Sequence, residues 1–176
     1  MTGQVSTRLY DTSTTPIVTV SSVTDTQVRW LEADQLRAWR QWLVLTSRLP
    51  ARLNRQLQAD SDLSLADFDV LVQLTDVPAG RLRVGELGAA LDWEKSRLSH
   101  HLTRMERRGL VAREDVAADG RGSEVVLTPA GRAAIEAAAP AHVDTVRALV
   151  FDALDEEQLR VWAELTSTLL ARLEDR

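Results

Sequence analysis

One segment of the chain, residues 93–108, carries polar and basic side chains at helical spacing. Hydroxyl, imidazole and guanidinium groups are the donors and acceptors that contact base edges and phosphates, and the DNA major groove admits a single helix. The spacing therefore favours a helix that binds double-stranded DNA; a merely solvated helix face is the alternative. The side chains that would form the binding face are Ser96, His100, Thr103 and Arg107, flanked by Arg97 and Arg104.

A glycine-containing loop follows that segment. It reads Asp-Gly-Arg-Gly at 119–122, between two segments of strand-like composition at 110–114 and 124–127. At the tip, the Arg121 guanidinium could reach an adjacent minor groove, where narrow A·T stretches attract arginine. Asp119 could orient Arg121 through an ion pair, so both are predicted to take part in DNA binding. An ordinary solvated turn is the alternative.

Charge is unevenly distributed along the chain. The net charge is −5, yet residues 93–113 hold six basic and two acidic side chains and so carry +4, which leaves −9 for the rest. The acidic total argues against a non-specific coat for nucleic acid. A basic island on an acidic body is typical of a local DNA contact.

Other classes of chemistry find little support. The chain has no cysteine, which excludes disulfides and thiolate metal sites, and the adjacent His100 and His101 would point to different faces of a helix. No P-loop, dinucleotide-binding turn or nucleophile elbow is present in the sequence. We therefore predict a protein that is not an enzyme and holds no metal or cofactor. Without a signal peptide or a membrane-spanning segment, we expect it in the cytoplasm.

The segments before the basic helix read as two helices. Apolar residues recur at helical spacing from Asp34 to Gln58, where Pro50 is expected to kink or split the helix. Ser64 is the predicted N-cap of the next helix, 65–75, with Asp67 in the capping-box position. The apolar side of this second helix would bury Phe68, Leu71 and Leu74.

The basic segment itself is predicted to be the second helix of a helix-turn-helix. A short strand at 82–84 and a small helix at 85–91 precede it, and Asp92 is its predicted N-cap. Gly109 would end it. Its apolar side would pack Leu98, Leu102 and Met105 against the preceding helices.

Two helices complete the chain. Thr128-Pro129 is typical of a helix start, and that helix would run to about residue 154 with a bend at Pro140. Asp155 would cap the last helix. The predicted fold class is mostly α with a small β-hairpin wing (α+β), a winged helix-turn-helix at 63–128 with helices on either side. Residues 1–30 are rich in Ser and Thr and are predicted to be a flexible tail, or an arm that packs on a partner subunit.

Three segments resemble the MarR family (multiple antibiotic resistance regulators). They are the helix and its exit, WEKSRLSHHLTRMERRGLV at 93–111; Asp-Gly-Arg at 119–121; and Val-Leu-Thr-Pro-Ala-Gly at 126–131. The likeness in helical plan extends from about Leu31 to Arg176. It implies a homodimer, with residues 31–62 and 129–176 supplying dimerisation helices around the DNA-binding lobe at 63–128.

The resemblance also implies roles for particular residues. Each protomer would place its recognition helix in one half of a pseudo-palindromic operator, and repression is the commoner mode of regulation in the family. His100 departs from the family, because many members have arginine there. Matched position by position, the groove residues would be Ser96, Arg97, Ser99, His100 and Arg104, and the wing residue Arg121.

Many relatives bind a small aromatic or phenolic ligand between the dimer helices and the DNA-binding lobe. The candidates for such an effector site are Trp39, Trp42, Phe68 and His142. Plain core or interface aromatics are the alternative. The rival function for the whole chain is a winged-helix interaction or dimerisation module that does not bind DNA.

Overall fold

The computed structural model describes residues 28–115 and 123–174. The predicted tail at 1–27 and the predicted wing residues Asp119 and Arg121 lie outside these ranges. In chain order, the described elements are α1 (Ala33–Ser61), α2 (Leu65–Thr75), β1 (Arg81–Arg83), α3 (Val84–Leu91), α4 (Lys95–Arg107), β2 (Val111–Asp115), β3 (Ser123–Leu127), α5 (Pro129–Leu149), a 3₁₀ turn (Phe151–Ala153) and α6 (Glu156–Glu174). The predicted class, helices with a small sheet, is confirmed. None of the helices in the described part of the chain is long and apolar enough to cross a membrane.

The chain divides into two units after Leu43, within α1. Of the first unit, the structure describes residues 28–32, which have no regular secondary structure, and the first turns of α1. Leu36 and Leu43 are partly buried, whereas the other large apolar side chains described here are exposed, including Trp39 at 45% and Trp42 at 41%.

The second unit, residues 44–176, contains the hydrophobic core. Leu98, Leu102 and Met105 on α4 are buried together with Leu87 of α3, as predicted from their spacing. Burying each of these side chains stabilises the fold by roughly 2 kcal/mol. The remaining members come from every neighbouring element: Leu57, Leu63, Phe68, Val70, Leu71, Leu74, Leu110, Val111, Val125, Ile135 and Ala138.

The sheet has three antiparallel strands rather than the two of the predicted hairpin. β3 lies in the middle, paired with β2 from Val111↔Leu127 to Asp115↔Ser123. The third strand, β1, pairs with the other edge of β3, with Leu82 opposite Val125. The predicted segment at 82–84 is therefore a strand, shifted by one residue, and it ties the start of α3 to the wing.

Local cap signals predicted several helix ends correctly. Ser64 and Asp67 form a reciprocal capping box at the start of α2. Gly109 follows α4 with φ +71°, a left-handed conformation that glycine adopts without strain. Asp155 Oδ1 accepts the backbone N–H of Gln158 (2.8 Å) at the start of α6.

The prediction that Asp92 is the N-cap of α4 is wrong. Asp92 instead caps the end of α3 in the left-handed conformation, φ 51°, and α4 begins at Lys95 with Glu94 as its N-cap. The backbone N–H of Trp93 donates to the Gly88 carbonyl (2.9 Å), so the chain reverses within the turn before α4 starts. The short polar side chain of aspartate is compatible with an N-cap and with a left-handed C-cap, and the tight turn between α3 and α4 requires the C-cap.

Pro50 does not split the first helix, since α1 is continuous from Ala33 to Ser61. Proline removes one backbone donor, which the remaining hydrogen bonds of a 29-residue helix outweigh. The helix after Thr128 ends earlier than predicted, at Leu149, with Pro140 inside it, and the 3₁₀ turn occupies the residues up to Ala153.

The Thr128 hydroxyl joins the end of α4 to the start of α5. It lies 2.6 Å from the Gly109 carbonyl and 3.0 Å from the Leu110 carbonyl, and it accepts the Gly131 backbone N–H (2.9 Å). The approach is so close that a Cβ on Gly131 would lie 2.0 Å from the Leu110 carbonyl oxygen. Only glycine fits at this position of α5.

Replacing Gly131 with alanine should therefore destabilise the protein. The added methyl would meet backbone atoms that cannot rotate away, and we expect a loss of about 3 kcal/mol in the free energy of unfolding. Urea denaturation measures this loss. The matched control is Gly85→Ala, because a Cβ at Gly85 meets nothing within 4 Å and alanine there should raise stability by about 0.5 kcal/mol. Equal midpoints for the two variants would contradict the assignment.

Candidate nucleic-acid interface

Helix α4 separates its side chains by face. Its apolar face is fully buried, whereas the face with the predicted groove residues points to solvent. Thr103 is partly buried, and the other six are exposed: Ser96, Arg97, Ser99, His100, Arg104 and Arg107. The structure thus places the seven predicted residues of α4 on one helix outside the core.

Lys95, Ser96, His100 and Arg107 form the part of this face that we call the uncommitted face. Within the described ranges, these four side chains make no hydrogen bond or ion pair. They include two full positive charges and an imidazole, carried on a helix held rigidly by its buried side. Such groups are available to phosphates and base edges without first breaking an internal contact.

The other predicted residues are already engaged. The Arg97 guanidinium lies over the Trp93 ring, 4.3 Å from its centre. The Thr103 hydroxyl donates to the Ser99 carbonyl (2.9 Å). Arg104 Nη2 donates to His101 Nδ1 (2.8 Å). An arginine has five N–H donors, so Arg97 and Arg104 keep further donors for a ligand.

Arg113 of β2 fixes α4 against the sheet. Its Nη2 donates to the Ser99 carbonyl (2.8 Å), and its Nε lies 3.5 Å from Glu106 Oε2. Arg113, one of the six basic residues counted in the segment 93–113, is therefore structural. The positive charge that this segment can offer to a ligand is smaller than the sequence indicates.

Asp67 is the buried ionic centre beneath α4. Its Oδ2 accepts the Ser64 backbone N–H (2.9 Å) and Arg108 Nη1 (2.7 Å). Its Oδ1 lies 3.0 Å from His101 Nε2, although the ring N–H is not aligned straight at that oxygen. One carboxylate at the start of α2 thus contacts His101 of α4 and Arg108, the residue directly after that helix.

The surroundings of Asp67 set its charge state. Burial alone would raise the pKa of the carboxyl, but the contacts with His101, the Ser64 backbone and Arg108 outweigh it and hold the pKa of Asp67 well below its ordinary value. Asp69 shows the opposite shift: burial raises its pKa, and the charge of Arg97 offsets this only in part. Asp67 is therefore ionised over the whole physiological range.

An open cleft of about 500 Å³ lies beside these groups. Its charged side chains alternate in sign, which gives it no strong preference for an anion or a cation. The lining residues are Gln58, Asp62, Ser64, Asp67, His101, Arg104 and Arg108.

Two of the predicted effector residues, Phe68 and His142, lie together in the second unit. The rings of Phe68 and His142 lie 4.4 Å apart, and His142 Nδ1 is 3.3 Å from Gln56 Oε1. Burial lowers the pKa of His142. Trp39 and Trp42 belong to the first unit and are exposed. Neither Phe68 nor His142 lines the cleft under α4 or the second cavity, of about 330 Å³, beside Arg52 and Arg55. Within the described part of the chain, no three His, Asp or Glu side chains are grouped to hold a metal ion.

Sequence reasoning missed Asp67, His101 and Arg108 as parts of the site. A signal existed for His101, which lies three residues after Leu98 and four before Met105, on the apolar side of the helix. Arg108 gave no signal, because its partner Asp67 lies 41 residues away in the sequence.

Comparisons with known proteins agree with this geometry. A family model described as the MarR family matches residues 61–122. The chain is 35% identical over 123 residues to the transcriptional regulator HosA of Escherichia coli, which covers 70% of this chain and 81% of HosA.

Two solved structures from Streptomyces coelicolor are similar over most of the chain. The MarR family transcriptional regulator Sco3205, crystallised in complex with DNA, shares 37% identity with a TM-score of 0.79, covering 83% of this chain and 91% of Sco3205. AbsC, another MarR family transcriptional regulator, shares 35% identity with a TM-score of 0.80, covering 85% of this chain and all of AbsC.

Replacing Asp67 with asparagine should make the free energy of unfolding less dependent on pH in the acidic range. Because the native pKa of Asp67 lies below its unfolded value, the ionised form stabilises the fold above about pH 4, and this contribution is lost as the pH falls below that value. We expect the Asp67→Asn variant to be less stable than the wild type at pH 7 and to lose less further stability down to pH 3. Urea denaturation at a series of pH values measures both.

Asp69→Asn is the matched control for this acid dependence. The pKa of Asp69 is raised, so its contribution has the opposite sign and is lost as the pH rises. Removing it should leave a steeper loss of stability on acidification than in the wild type. If both variants changed the slope in the same direction, the charge states assigned here would be wrong.

Proposed function

The chain belongs to the MarR family of transcriptional regulators, and we propose that it is a ligand-responsive repressor that binds a pseudo-palindromic operator as a homodimer. The observation that carries this proposal is the uncommitted face of α4, where Lys95, Ser96, His100 and Arg107 stand free on a rigidly packed helix. Donors fixed in this way bind DNA without losing internal contacts.

We assign the base contacts to Ser96 and His100, in the N-terminal half of α4, and the phosphate contacts to the arginines around them. Ser96 and His100 are four residues apart on the uncommitted face, so a helix that enters the major groove by this face would bring both to the base edges. Arg97, Arg104 and Arg107 would contact the backbone. From its sequence position between two glycines, Arg121 would contact the minor groove of the same half-site.

The homodimer is supported by apolar surface that a single protomer leaves uncovered. Helix α6 has no buried residue, and Leu165, Leu169 and Leu173 on it are 58%, 55% and 75% exposed. Val143 at the end of α5 and Phe151 after it are also exposed. A contiguous face of this kind marks a protein interface. Two recognition helices related by the dimer axis would bind half-sites about 34 Å apart.

An effector would bind beside Phe68 and His142. The proposal rests on the rings of Phe68 and His142, whose planes are inclined by 40°, and on the Gln56 amide beside them, which together supply aromatic contacts and one polar contact. These are the features that a small aromatic or phenolic effector requires.

Selection from random-sequence duplexes, followed by fluorescence anisotropy at two salt concentrations, tests the proposal. Enrichment of an inverted repeat, with affinity that falls steeply as salt rises, is the expected result. Absence of any enriched sequence and of any salt-sensitive binding would overturn it and favour a winged-helix module that binds only proteins.

Arg107→Ala should lower DNA affinity equally for all sequences. Each phosphate contact adds about 0.9 to the slope of log affinity against log salt, so a dimer that loses two should show a slope smaller by about 2. Anisotropy titrations over a range of salt measure this slope. Arg147→Ala is the control. This exposed arginine near the end of α5 pairs with Asp152 (3.6 Å), and it lies at the opposite end of α5 from the junction with α4. An unchanged slope for Arg107→Ala would remove this residue from the interface.

Leu165→Asp should convert the dimer to a monomer. A carboxylate on the exposed leucine face would have to be buried at the interface without a partner, which costs several kcal/mol. Light scattering at micromolar concentration measures the mass. Ala171→Asp adds the same charge on the opposite face of α6, and we expect that variant to remain dimeric. Monomeric wild-type protein would refute the dimer directly.

A further inference from the structure

His101 is nearly buried, and both of its ring nitrogens face a charged side chain. The residue is 5% exposed, with its ring edge-on to Trp93 at 5.2 Å between centres. Nδ1 receives Arg104 Nη2 at 2.8 Å, and Nε2 lies 3.0 Å from Asp67 Oδ1. The imidazole therefore stands between an anion of α2 and a cation of α4.

The partners of the ring determine where its proton lies. An arginine side chain has only donors and stays protonated in proteins, so Nδ1 must present a lone pair to Arg104. The neutral ring then carries its proton on Nε2, which faces the Asp67 carboxylate. Asp67 itself cannot shift, because Arg108 and the Ser64 cap hold its other oxygen.

This arrangement fixes Arg104 on the edge of the uncommitted face. Arg104 lies four residues after His100 and three before Arg107, so it is next to both on the helix surface. Its guanidinium contacts His101 and lines the cleft beside Asp67. One of its donors is used by His101, and the others remain for a phosphate. A long side chain that is already ordered loses less conformational freedom on binding.

Resting on the DNA-binding function proposed above, we infer that His101 is a positioning residue, which accepts a hydrogen bond from Arg104 at Nδ1 and so holds that guanidinium in place for the DNA backbone. His101 itself does not touch DNA. Its effect on affinity passes entirely through Arg104, and Asp67 acts as its anchor.

Three substitutions separate this role from simple core packing. His101→Leu keeps an apolar side chain of similar size and removes the acceptor, and His101→Gln reaches the Nε2 position but leaves Nδ1 without a replacement. His101→Asn places an amide oxygen near the position of Nδ1. We expect the Leu and Gln variants to lose about fivefold in affinity for the duplex enriched by selection, and the Asn variant to lose less than twofold. Urea denaturation gives the free energy of unfolding of each variant, so that a loss of affinity can be distinguished from a loss of folded protein.

A double-mutant cycle with Arg104→Ala gives the decisive readout. If His101 acts through Arg104, then His101→Leu causes no further loss of affinity in the Arg104→Ala background. A fivefold loss in both backgrounds would overturn the inference and leave His101 as a packing residue. Equal affinities for the Leu and Asn variants would also overturn it.

Nitrogen NMR of the DNA-free protein tests the contact independently of DNA. We expect the spectrum of His101 to show a protonated Nε2 and an unprotonated Nδ1, and Arg104→Ala to shift the Nδ1 signal. A protonated Nδ1 in the wild type would overturn the inference, whatever the DNA experiments show. The expected NMR result in a protein that binds no duplex would instead locate the failure in the proposed function, and the positioning role would fall with it.

Discussion

The carboxylate of Asp67 is the interaction on which the site depends. It closes the capping box of α2 with Ser64 and pairs with Arg108 at the end of α4. A buried carboxylate is costly unless it is fully paired, and here the pairing partners come from the two elements whose relative position matters. The same group that begins α2 thus also holds α4 against it through Arg108, and its Oδ1 lies 3.0 Å from His101 Nε2 in the middle of α4.

Ion pairing separates four basic residues of the segment 93–113 into two kinds. Arg108 and Arg113 are held by acidic groups and fix α4 to α2 and to the sheet. Lys95 and Arg107 point outward from the same helix. The net charge of a segment counts both kinds together, whereas only the second kind is available to a ligand. A net positive charge on a helix therefore overstates its binding surface.

Sequence reasoning was most accurate where the signal acts within one helical turn. The Ser64 cap, the Gly109 stop and the Thr128-Pro129 start each depend on a few neighbouring residues, and each was predicted at the right place. Asp92 was misplaced because two local structures compete for it and a turn between helices decides the outcome. Contacts across long separations gave no signal, as with β1 beside β3 and Asp67 beside Arg108. The exposed side of α4 was nevertheless predictable, because helical spacing alone determines it.

The junction at Thr128 has a mechanical consequence. One hydroxyl binds the end of α4 and the first turn of α5 together, and Gly131 brings the two backbones into contact. At about 1.5 Å per residue, Ser96 lies roughly 18 Å from this joint, so a turn of α5 by about 10° would swing it by about 3 Å. That displacement equals the length of a hydrogen bond. A small rotation of α5 would therefore move the exposed donors of α4 by the distance over which a hydrogen bond forms or breaks.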